Sequence, residues 1–311
     1  MLHRVIHKAV QLSNRLFVDL GDRHETVFLA GTGRSGTTWL QNILNYDNTF
    51  RVMFEPFHSR RVNLVSDWNY RQYLREDNGD KQFLEPAQMI LEGRIRNEWI
   101  DRFNRKRIAR RRLIKDIRSN LFLHWIRRHF PEVRMILLLR HPCAVASSKL
   151  ELGWDTHLTD FLSQEELMSD FLYPFRSEIE AAEDPFAKHV FMWCVENYVP
   201  LCQFGRHEIL VVFYENLCHN PQTEIAMVLE HVGLPLNQRA LDVAALPSAM
   251  SRKDSPIRTG TSLVNSWRDR ISERQILQAI GILELFGLDS IYDEGTMPKV
   301  SGEDALDVVG A

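Results

Sequence analysis

Short apolar runs alternate with segments of helical periodicity along most of the chain. The fourth run is apolar almost throughout, which is typical of a central parallel strand that is buried on both faces. The predicted strands are residues 26–30, 50–54, 112–116, 134–139 and 208–215. Because helical spacing separates them, the pattern predicts an α/β fold, a P-loop-type doubly wound parallel sheet flanked by helices.

Regions of different composition divide this pattern into a core and its additions. The first residues carry a loose apolar stripe, which predicts an amphipathic helix that packs on the domain, with weak contact to a membrane surface as the alternative. A polar, aromatic insertion and an irregular, acid-rich lid interrupt the core, and the tail is expected to be frayed. The predicted boundaries are 1–24 for the N-terminal helix, 25–290 for the domain, 57–108 for its insertion, 154–185 for its lid, and 291–311 for the tail, frayed beyond Pro298.

Composition narrows the class of protein. The chain has 311 residues, of which 44% are hydrophobic and 25% charged, and its net charge is −3. These values are ordinary for a globular protein and give no reason to expect nucleic-acid binding. Because no apolar run approaches the length of a membrane span and the N-terminus is not a convincing signal peptide, we expect a cytoplasmic protein. Its four cysteines lack metal-ligand spacing and are expected to be free thiols: Cys143, Cys194, Cys202 and Cys218.

A glycine-rich loop, residues 31–40, links the first strand to a helix and reads Gly-Thr-Gly-Arg-Ser-Gly-Thr-Thr-Trp-Leu. Its glycines let backbone N–H groups converge on an anion, and the helix N-terminus adds unpaired donors. In the common nucleotide loop a Lys follows the last glycine, whereas this chain has Thr37 there and carries its cation, Arg34, inside the loop. The change predicts a loop that binds a shorter anion. A glycine-rich turn without a ligand is the alternative.

Charged residues lie where three of the predicted strands end: Glu55, Lys115 and Arg140. The carboxyl ends of parallel strands meet at one edge of the sheet, and ligands of doubly wound sheets bind there. Arg140 and Ser148, two helical turns further on, can converge on one phosphate, Arg through its charge and Ser through a neutral hydrogen bond. A helix-face hydroxyl is the alternative interpretation of Ser148, and Ser147 is the other candidate ligand.

Taken together, these segments resemble the sulfotransferase family, which moves a sulfuryl group from 3′-phosphoadenosine-5′-phosphosulfate (PAPS) to an acceptor. The resemblance extends over about residues 26–286. It implies that the loop binds the 5′-phosphosulfate, that Arg140 and Ser148 bind the 3′-phosphate, and that Tyr214 lies against the adenine with Trp39 on its other side. Core packing is the alternative for both aromatic residues. The residues that the resemblance assigns to PAPS are Gly33, Arg34, Ser35, Gly36, Thr37, Thr38, Trp39, Arg140, Ser148, Tyr214, Arg258 and Gly260, with Thr259 replacing the family's usual second basic residue.

The resemblance also implies a mechanism. Small-molecule sulfotransferases carry a Lys-Thr-His at the third strand with the His as base, whereas residues 115–118 here read Lys-Asp-Ile-Arg. Residues 54–56, Phe-Glu-Pro, resemble the carbohydrate branch, in which the Glu is the proposed base. This implies that Glu55 is the base and that Lys115 and Arg34 stabilise the departing phosphate, with no metal. A turn residue at the strand end is the alternative for Glu55.

The expected reaction is therefore sulfuryl transfer from PAPS to a hydroxyl of a carbohydrate or glycan. The alternatives are sulfation of a protein tyrosine or of a small-molecule or lipid alcohol, a P-loop kinase-like ATP enzyme, and a catalytically inactive binding protein. The basic stretch 94–112 is interpreted either as a solvated helix face or as a groove for an acidic acceptor.

Overall fold

The structure of the protein is a computed structural model that describes residues 18–247 and 263–309. Its strands are β1 (Val18–Asp19), β2 (Thr26–Gly31), β3 (Phe50–Phe54), β4 (Ile108–Ala109), β5 (Arg111–Asp116), β6 (Arg134–Leu139) and β7 (Leu210–Phe213). Five of them form a parallel sheet in the order β3–β5–β2–β6–β7, and β1 pairs with β4 in a separate parallel ladder. The predicted doubly wound parallel fold is confirmed, and the strand order places the switch point beside β2.

Helices cover both faces of this sheet. They are α1 (Thr37–Leu44), α2 (Lys81–Leu91), α3 (Leu123–His129), α4 (Pro142–Glu151), α5 (Leu158–Leu162), α6 (Glu165–Leu167), α7 (Arg176–Ala181), α8 (Pro185–Gln203), α9 (Tyr214–His219), α10 (Pro221–His231), α11 (Gln238–Ala244) and α12 (Glu273–Leu285). A proline in the first turn begins α4, α8 and α10, where its missing N–H is no loss. Within the described ranges, no helix combines the length and the apolar character that crossing a bilayer requires.

Two apolar layers hold the sheet, because successive strand side chains point to opposite faces. Leu29 and Ile136 pack in one layer with apolar side chains of α1 and α10. Phe28 and Leu137 pack in the other layer, which contains Trp193 of α8. The central strands are therefore buried on both faces, which explains why β6 is apolar almost throughout.

Two predicted additions turn out to be parts of the core. Residues 57–108 contain α2, and their buried side chains, including Trp68 and Ile90, join the larger apolar layer. Residues 154–185 are not irregular as predicted, since they contain α5, α6 and α7. Phe161 of α5 is fully buried in the same layer. The helices in these two regions are short, so their apolar residues show only a weak helical periodicity. The sequence therefore did not predict that they pack in the core.

Three further predictions need correction. The last strand ends at Phe213, because Tyr214 already begins α9. The tail is not frayed up to residue 309: Ala305 is fully buried, and a Cβ at Gly302 would lie 2.1 Å from the Val211 carbonyl oxygen. Most of the predicted N-terminal helix lies outside the described residues, and its last part, 18–24, instead contains β1 and the start of a 3-10 turn.

Candidate functional site

The glycine-rich loop passes so close to two aromatic side chains that only glycine fits. A Cβ at Gly36 would lie 2.7 Å from the Tyr214 ring, and a Cβ at Gly33 would lie 2.7 Å from the Trp154 ring. Gly36 also has a φ of 98°, which glycine adopts without strain, and it precedes the first turn of α1. The loop therefore presents its backbone, with no side chain at these two positions, to the edge of the sheet.

Hydroxyl groups of the loop divide into two kinds. The Ser35 hydroxyl donates to the Thr32 carbonyl oxygen at 2.7 Å, so it closes the turn of the loop itself. Thr37 and Thr38 occupy the first turn of α1, where no side chain caps the helix N-terminus. Their backbone N–H groups are the ones that a helix leaves without an intrahelical partner, and they suit an anion.

The loop cation and the cation that follows β6 lie side by side. The Arg34 Nε donates to the Ser148 hydroxyl of α4 at 3.0 Å, and the Arg140 Nη1 donates to the Arg34 carbonyl oxygen at 3.1 Å. Arg34 has a φ of 77°, a strained value for a residue with a Cβ. Ser147 instead donates back to the Ala144 carbonyl oxygen at 3.3 Å. The structure therefore brings Arg34, Arg140 and Ser148 into one cluster, and Ser147 does not join it.

Aromatic side chains hold Arg140 in this cluster. Its guanidinium lies 4.2 Å from the centre of the Tyr214 ring, and the Trp193 indole N–H donates to its carbonyl oxygen at 2.9 Å. Its Nε is buried and has no hydrogen-bond partner among the described residues. The next residue is also fixed, because the Glu215 carboxylate accepts the His141 backbone N–H at 2.9 Å. Trp193 and Glu215 were not singled out from the sequence, since they come from α8 and α9.

Trp39 and Tyr214 do not form the predicted sandwich. Their ring centroids are 5.4 Å apart in an edge-to-face arrangement, so the two rings contact each other directly. The Trp39 indole N–H is also used, donating to the Ala244 carbonyl oxygen of α11 at 3.0 Å. In this arrangement no base fits between the two rings. Trp39 is therefore a core-packing residue, which was the alternative interpretation. Tyr214 packs against both Gly36 and Arg140.

A second cluster of charges lies at the ends of β3 and β5. The Glu55 carboxylate accepts from the Lys115 Nζ at 2.8 Å and from the Arg118 Nη1 at 2.6 Å. Burial opposes ionisation of this carboxyl, but the charges of Lys115 and Arg118 outweigh it and lower the pKa of Glu55. Burial likewise lowers the pKa of Lys115, against the attraction of Glu55. Glu55 is thus held as a carboxylate between two cations.

The backbone at Glu55 is strained, and the turn that follows it is braced by Asp116. Glu55 has a φ of 45°, a left-handed value that is uncommon for a residue with a Cβ and often marks a functional site. The Asp116 carboxylate accepts the backbone N–H groups of Phe57 at 3.0 Å and Arg118 at 2.8 Å. Burial, with the charge of Glu55, raises the pKa of Asp116 to about 6. This network fixes the position of Arg118, to which the sequence alone assigned no role.

The two clusters lie at the same edge of the sheet. Leu29 of β2 pairs in register with Lys115 of β5, and Phe54 of β3 pairs with Lys115 on its other side. Beyond the strand ends, the Ile117 Cδ1 would lie 3.2 Å from a Cβ at Gly33, so the loop touches the residue between Asp116 and Arg118. The glycine loop is therefore contiguous with the Glu55 cluster.

Some predicted site residues cannot be placed. Arg258 and Gly260 lie outside the described residues. In the described part of the chain, no group of three or more His, Cys, Asp or Glu side chains could hold a metal ion.

The basic stretch 94–112 is not one helix face, and its two parts lie in different places. Its middle part is near Glu55, since the Trp99 indole N–H donates to the Glu55 carbonyl oxygen at 3.3 Å and the Arg102 guanidinium lies 5.5 Å from the centre of the Phe54 ring. The last residues of the stretch enter β5 at the opposite, amino end of the strand. Arg112 there pairs with Asp19 at 2.9 Å, Arg111 pairs with Glu25 at 2.7 Å, and Arg94 pairs with Glu92 at 2.6 Å. The helix-face interpretation is therefore wrong, and these three cations already pair with carboxylates of the chain.

The chain is similar to proteins of known structure over most of its length. The sulfotransferase domain of the Synechococcus PCC 7002 olefin synthase is 16% identical, with 84% of this chain and 94% of that chain covered and a TM-score of 0.47. Sulfotransferase STF9 from Mycobacterium avium is 13% identical, with 94% and 82% covered and a TM-score of 0.46. A mouse sulfotransferase complexed with PAP is 16% identical, with 86% and 85% covered and a TM-score of 0.42. No curated protein sequence matches the chain.

A match to a sequence model of a protein family shows to which family the chain belongs. The model described as "Sulfotransferase family" matches residues 26–238, which is more than half of the chain and includes both charge clusters. This confirms the predicted class of enzyme, a sulfotransferase with PAPS as co-substrate, and leaves the branch of the family open. The chain belongs to the sulfotransferase family.

Proposed function

We propose that this protein transfers the sulfuryl group of PAPS to a hydroxyl of a carbohydrate or glycan, with Glu55 as the base. One observation carries the proposal: the Glu55 carboxylate is buried at the sheet edge between Lys115 and Arg118 and next to the glycine loop. A buried carboxylate beside a phosphate-type loop is suited to accept a proton from a hydroxyl.

The residues around the loop fit the co-substrate. Gly33 and Gly36 let the loop backbone pack against the Trp154 and Tyr214 rings, where a Cβ would clash. The buried Nε of Arg140, which has no partner among the described residues, is a donor that a phosphate oxygen would satisfy. We assign the 3′-phosphate to Arg140 and Ser148, and the 5′-phosphosulfate to the loop N–H groups with Thr37 and Thr38. PAPS supplies the sulfuryl group and a phosphate leaving group.

Residues of the chain accept the proton and stabilise the charge that develops during the transfer. As the acceptor oxygen bonds to sulfur and the bond from sulfur to the phosphate oxygen breaks, Glu55 takes the hydroxyl proton. Its lowered pKa keeps it ionised at neutral pH, and the same two cations that hold it ionised also weaken it as a proton acceptor. Lys115, which contacts Glu55 on one side, and Arg34 in the loop offset the negative charge that develops on the departing phosphate. Ser35 acts indirectly, by closing the turn of the loop.

Two features favour a carbohydrate over the other hydroxyl acceptors. Glu55 and Pro56 stand where the carbohydrate branch has its Glu-Pro, and residues 115–118 have no His. Protein tyrosine and small-molecule or lipid alcohols stay as alternative acceptors. We place the protein in the cytoplasm, which its free cysteines, Cys143, Cys194, Cys202 and Cys218, support.

The test is a transfer assay with PAPS labelled in its sulfuryl group and no divalent metal. Oligosaccharides, a tyrosine-containing peptide and a simple phenol are supplied in parallel at equal hydroxyl concentration. We expect the label on the oligosaccharides. Label on the peptide or the phenol alone would contradict the carbohydrate acceptor while leaving the sulfotransferase reaction intact.

A further inference from the structure

A ring of basic side chains surrounds Tyr70, and we call these residues together the Tyr70 cluster. The guanidinium groups lie 4.3 Å (Arg60), 4.7 Å (Arg118) and 5.2 Å (Arg71) from the centre of the Tyr70 ring. Two imidazoles complete the ring, with centroids 5.3 Å (His58) and 5.1 Å (His157) from that of Tyr70. The three guanidinium groups sit where the quadrupole of the tyrosine ring attracts a cation, whereas burial lowers the pKa of both imidazoles.

The cluster adjoins the proposed base. Arg118 belongs to both, since it also donates to the Glu55 carboxylate at 2.6 Å. The His58 backbone N–H donates to the Glu55 carbonyl oxygen at 3.3 Å, so the chain leads directly from the base into the cluster. Tyr70 is half-buried and Arg60 is exposed, so a ligand can reach them from solvent.

The cluster carries more positive than negative charge. Glu55 faces two cations, Lys115 and Arg118. Glu196 likewise faces two, an ion pair with Arg71 and a contact of 3.7 Å with the Lys149 Nζ. Of the nearby carboxylates, Asp116 accepts backbone N–H groups, whereas Asp160 lies 3.6 Å from the His157 ring and has a buried Oδ2 with no hydrogen-bond partner among the described residues. Arg60 pairs with no carboxylate within the described ranges.

Several polar atoms of the cluster are buried and unsatisfied. The Nη1 of Arg71, the Nε of Arg118 and the Nδ1 of His58 have no hydrogen-bond partner among the described residues. Arg71 and His58 are only 5% and 7% exposed, so leaving these nitrogens without a hydrogen bond costs free energy. A ligand that hydrogen-bonds to them would remove that cost. Two of the three atoms are guanidinium donors, which favour carboxylate and sulfate oxygens.

We infer that the acceptor is an acidic sugar, whose carboxylate or sulfate binds Arg60 and the guanidinium donors of the Tyr70 cluster. The inference rests on the proposed function and names the class of its acceptor. It also locates the acidic-acceptor site at residues 58–71, 118 and 157, and not in the basic stretch 94–112. Because Arg118 contacts both the Glu55 carboxylate and the Tyr70 ring, an acceptor bound at the Tyr70 cluster lies next to the proposed base.

The experiment compares two tetrasaccharides that differ only at C6 of their acidic sugars, a carboxylate in one and a hydroxymethyl group in the other. One contains glucuronic acid, and the other is its carboxyl-reduced counterpart, in which each glucuronic acid has become glucose. Each is titrated calorimetrically into the protein saturated with adenosine 3′,5′-bisphosphate. We expect the acidic form to bind about tenfold more tightly or better, the size expected for charged hydrogen bonds. Equal affinities, or binding of neither form, would overturn the inference.

Two variants assign the effect to the cluster. Arg60→Gln, at an exposed position, should abolish the preference for the acidic form. Arg107→Gln removes an equally exposed charge from the basic stretch and should leave the preference unchanged. An effect of Arg107→Gln alone would move the anion site to that stretch and contradict the inference.

Transfer from labelled PAPS separates this inference from the proposed function. Sulfation of the reduced tetrasaccharide with the same KM as the acidic form would contradict the anion site and support the carbohydrate sulfotransferase reaction. Tight binding of the acidic form without transfer to it would keep the anion site and sink the proposed reaction.

Discussion

The same two strands carry a buried ion network at each end, and the two networks differ in how completely their hydrogen bonds are made. At the amino end, the Arg51 guanidinium of β3 donates to Asp19, to Asp101 and to two backbone carbonyls. Arg112 of β5 donates to Asp19, to Thr26 and to two more carbonyls. Neither arginine has any exposed surface. Every nitrogen of both guanidinium groups has a partner, which is what a structural ion network requires.

The carboxyl end is left incomplete. Arg118 and Arg140 each keep a buried Nε without a partner among the described residues, and Glu55 and Arg34 have left-handed backbones. A network that serves folding has no use for such strain or for unsatisfied donors. The contrast teaches that the amino end holds the fold together, whereas the carboxyl end is arranged for ligands that complete it.

The largest effect is expected from breaking the amino-end network. Arg112→Met leaves the buried Asp19 short of a partner and should lower the free energy of unfolding by about 3–5 kcal/mol, measured in urea. Turnover per folded molecule should stay unchanged, because this network lies at the other end of the strands. Arg94→Gln, which breaks an exposed pair with Glu92, is the control and should change stability by less than about 1 kcal/mol. Loss of turnover in folded Arg112→Met would break the division between the two ends.

Nucleotide binding tests the role proposed for the carboxyl end of the sheet. Arg140→Ala removes a charged donor and should weaken binding of adenosine 3′,5′-bisphosphate by about 10- to 100-fold. Ser148→Ala removes a neutral hydrogen bond and should weaken it only by about 2- to 10-fold. Ser147→Ala is the matched control, since its hydroxyl bonds within its own helix. Calorimetry measures all three, and equal losses for Ser147→Ala and Ser148→Ala would contradict the assignment of Ser148.

The smallest effect is a dependence of stability on pH that has opposite signs for two buried carboxyl groups, Asp116 at the carboxyl end and Asp19 at the amino end. The pKa of Asp116 is raised from 3.8 to about 6, so its contribution to stability is complete below 3.8 and is lost as the pH rises through about 6. The pKa of Asp19 is lowered: burial raises it, but Arg112 and Arg51 outweigh burial. Its contribution is present above 3.8 and is lost as the pH falls through the folded value.

The difference between wild type and Asp116→Asn isolates the contribution of Asp116. The unfolding free energy of the wild type, relative to this variant, should fall by about 1 kcal/mol or more as the pH rises from about 4 to about 6. Urea titrations across that range provide the values. A difference that is flat or rises with pH would mean that Asp116 is not buried as the structure has it.

The sequence allowed the edge of the sheet to be predicted because parallel strands bring their carboxyl ends together wherever the chain goes in between. That rule was enough to single out Glu55, Lys115 and Arg140. It could not reach Tyr70, Arg71 or Glu196, which arrive at the site from long crossovers whose packing depends on the whole fold.

Local patterns also misled where packing decided the outcome. Trp39 and Tyr214 each suggest a stacking surface for a base, and only the three-dimensional arrangement shows that the two rings contact each other. Ala305 and its neighbours are too few to show a period, yet the tail around Gly302 lies against β7. Such contacts join parts of the chain that are far apart in sequence, and no short pattern encodes them.

The most direct test is the rate of sulfuryl transfer from saturating PAPS by Glu55→Gln, with binding of adenosine 3′,5′-bisphosphate measured on the same protein. The informative comparison is His58→Gln, because burial lowers the pKa of His58 to about 4, which makes its neutral ring another possible proton acceptor beside Arg118. We predict that Glu55→Gln loses about 10²- to 10⁴-fold in turnover while nucleotide affinity changes by no more than about twofold. Near-normal turnover in Glu55→Gln, or a loss of that size in His58→Gln instead, would contradict Glu55 as the base.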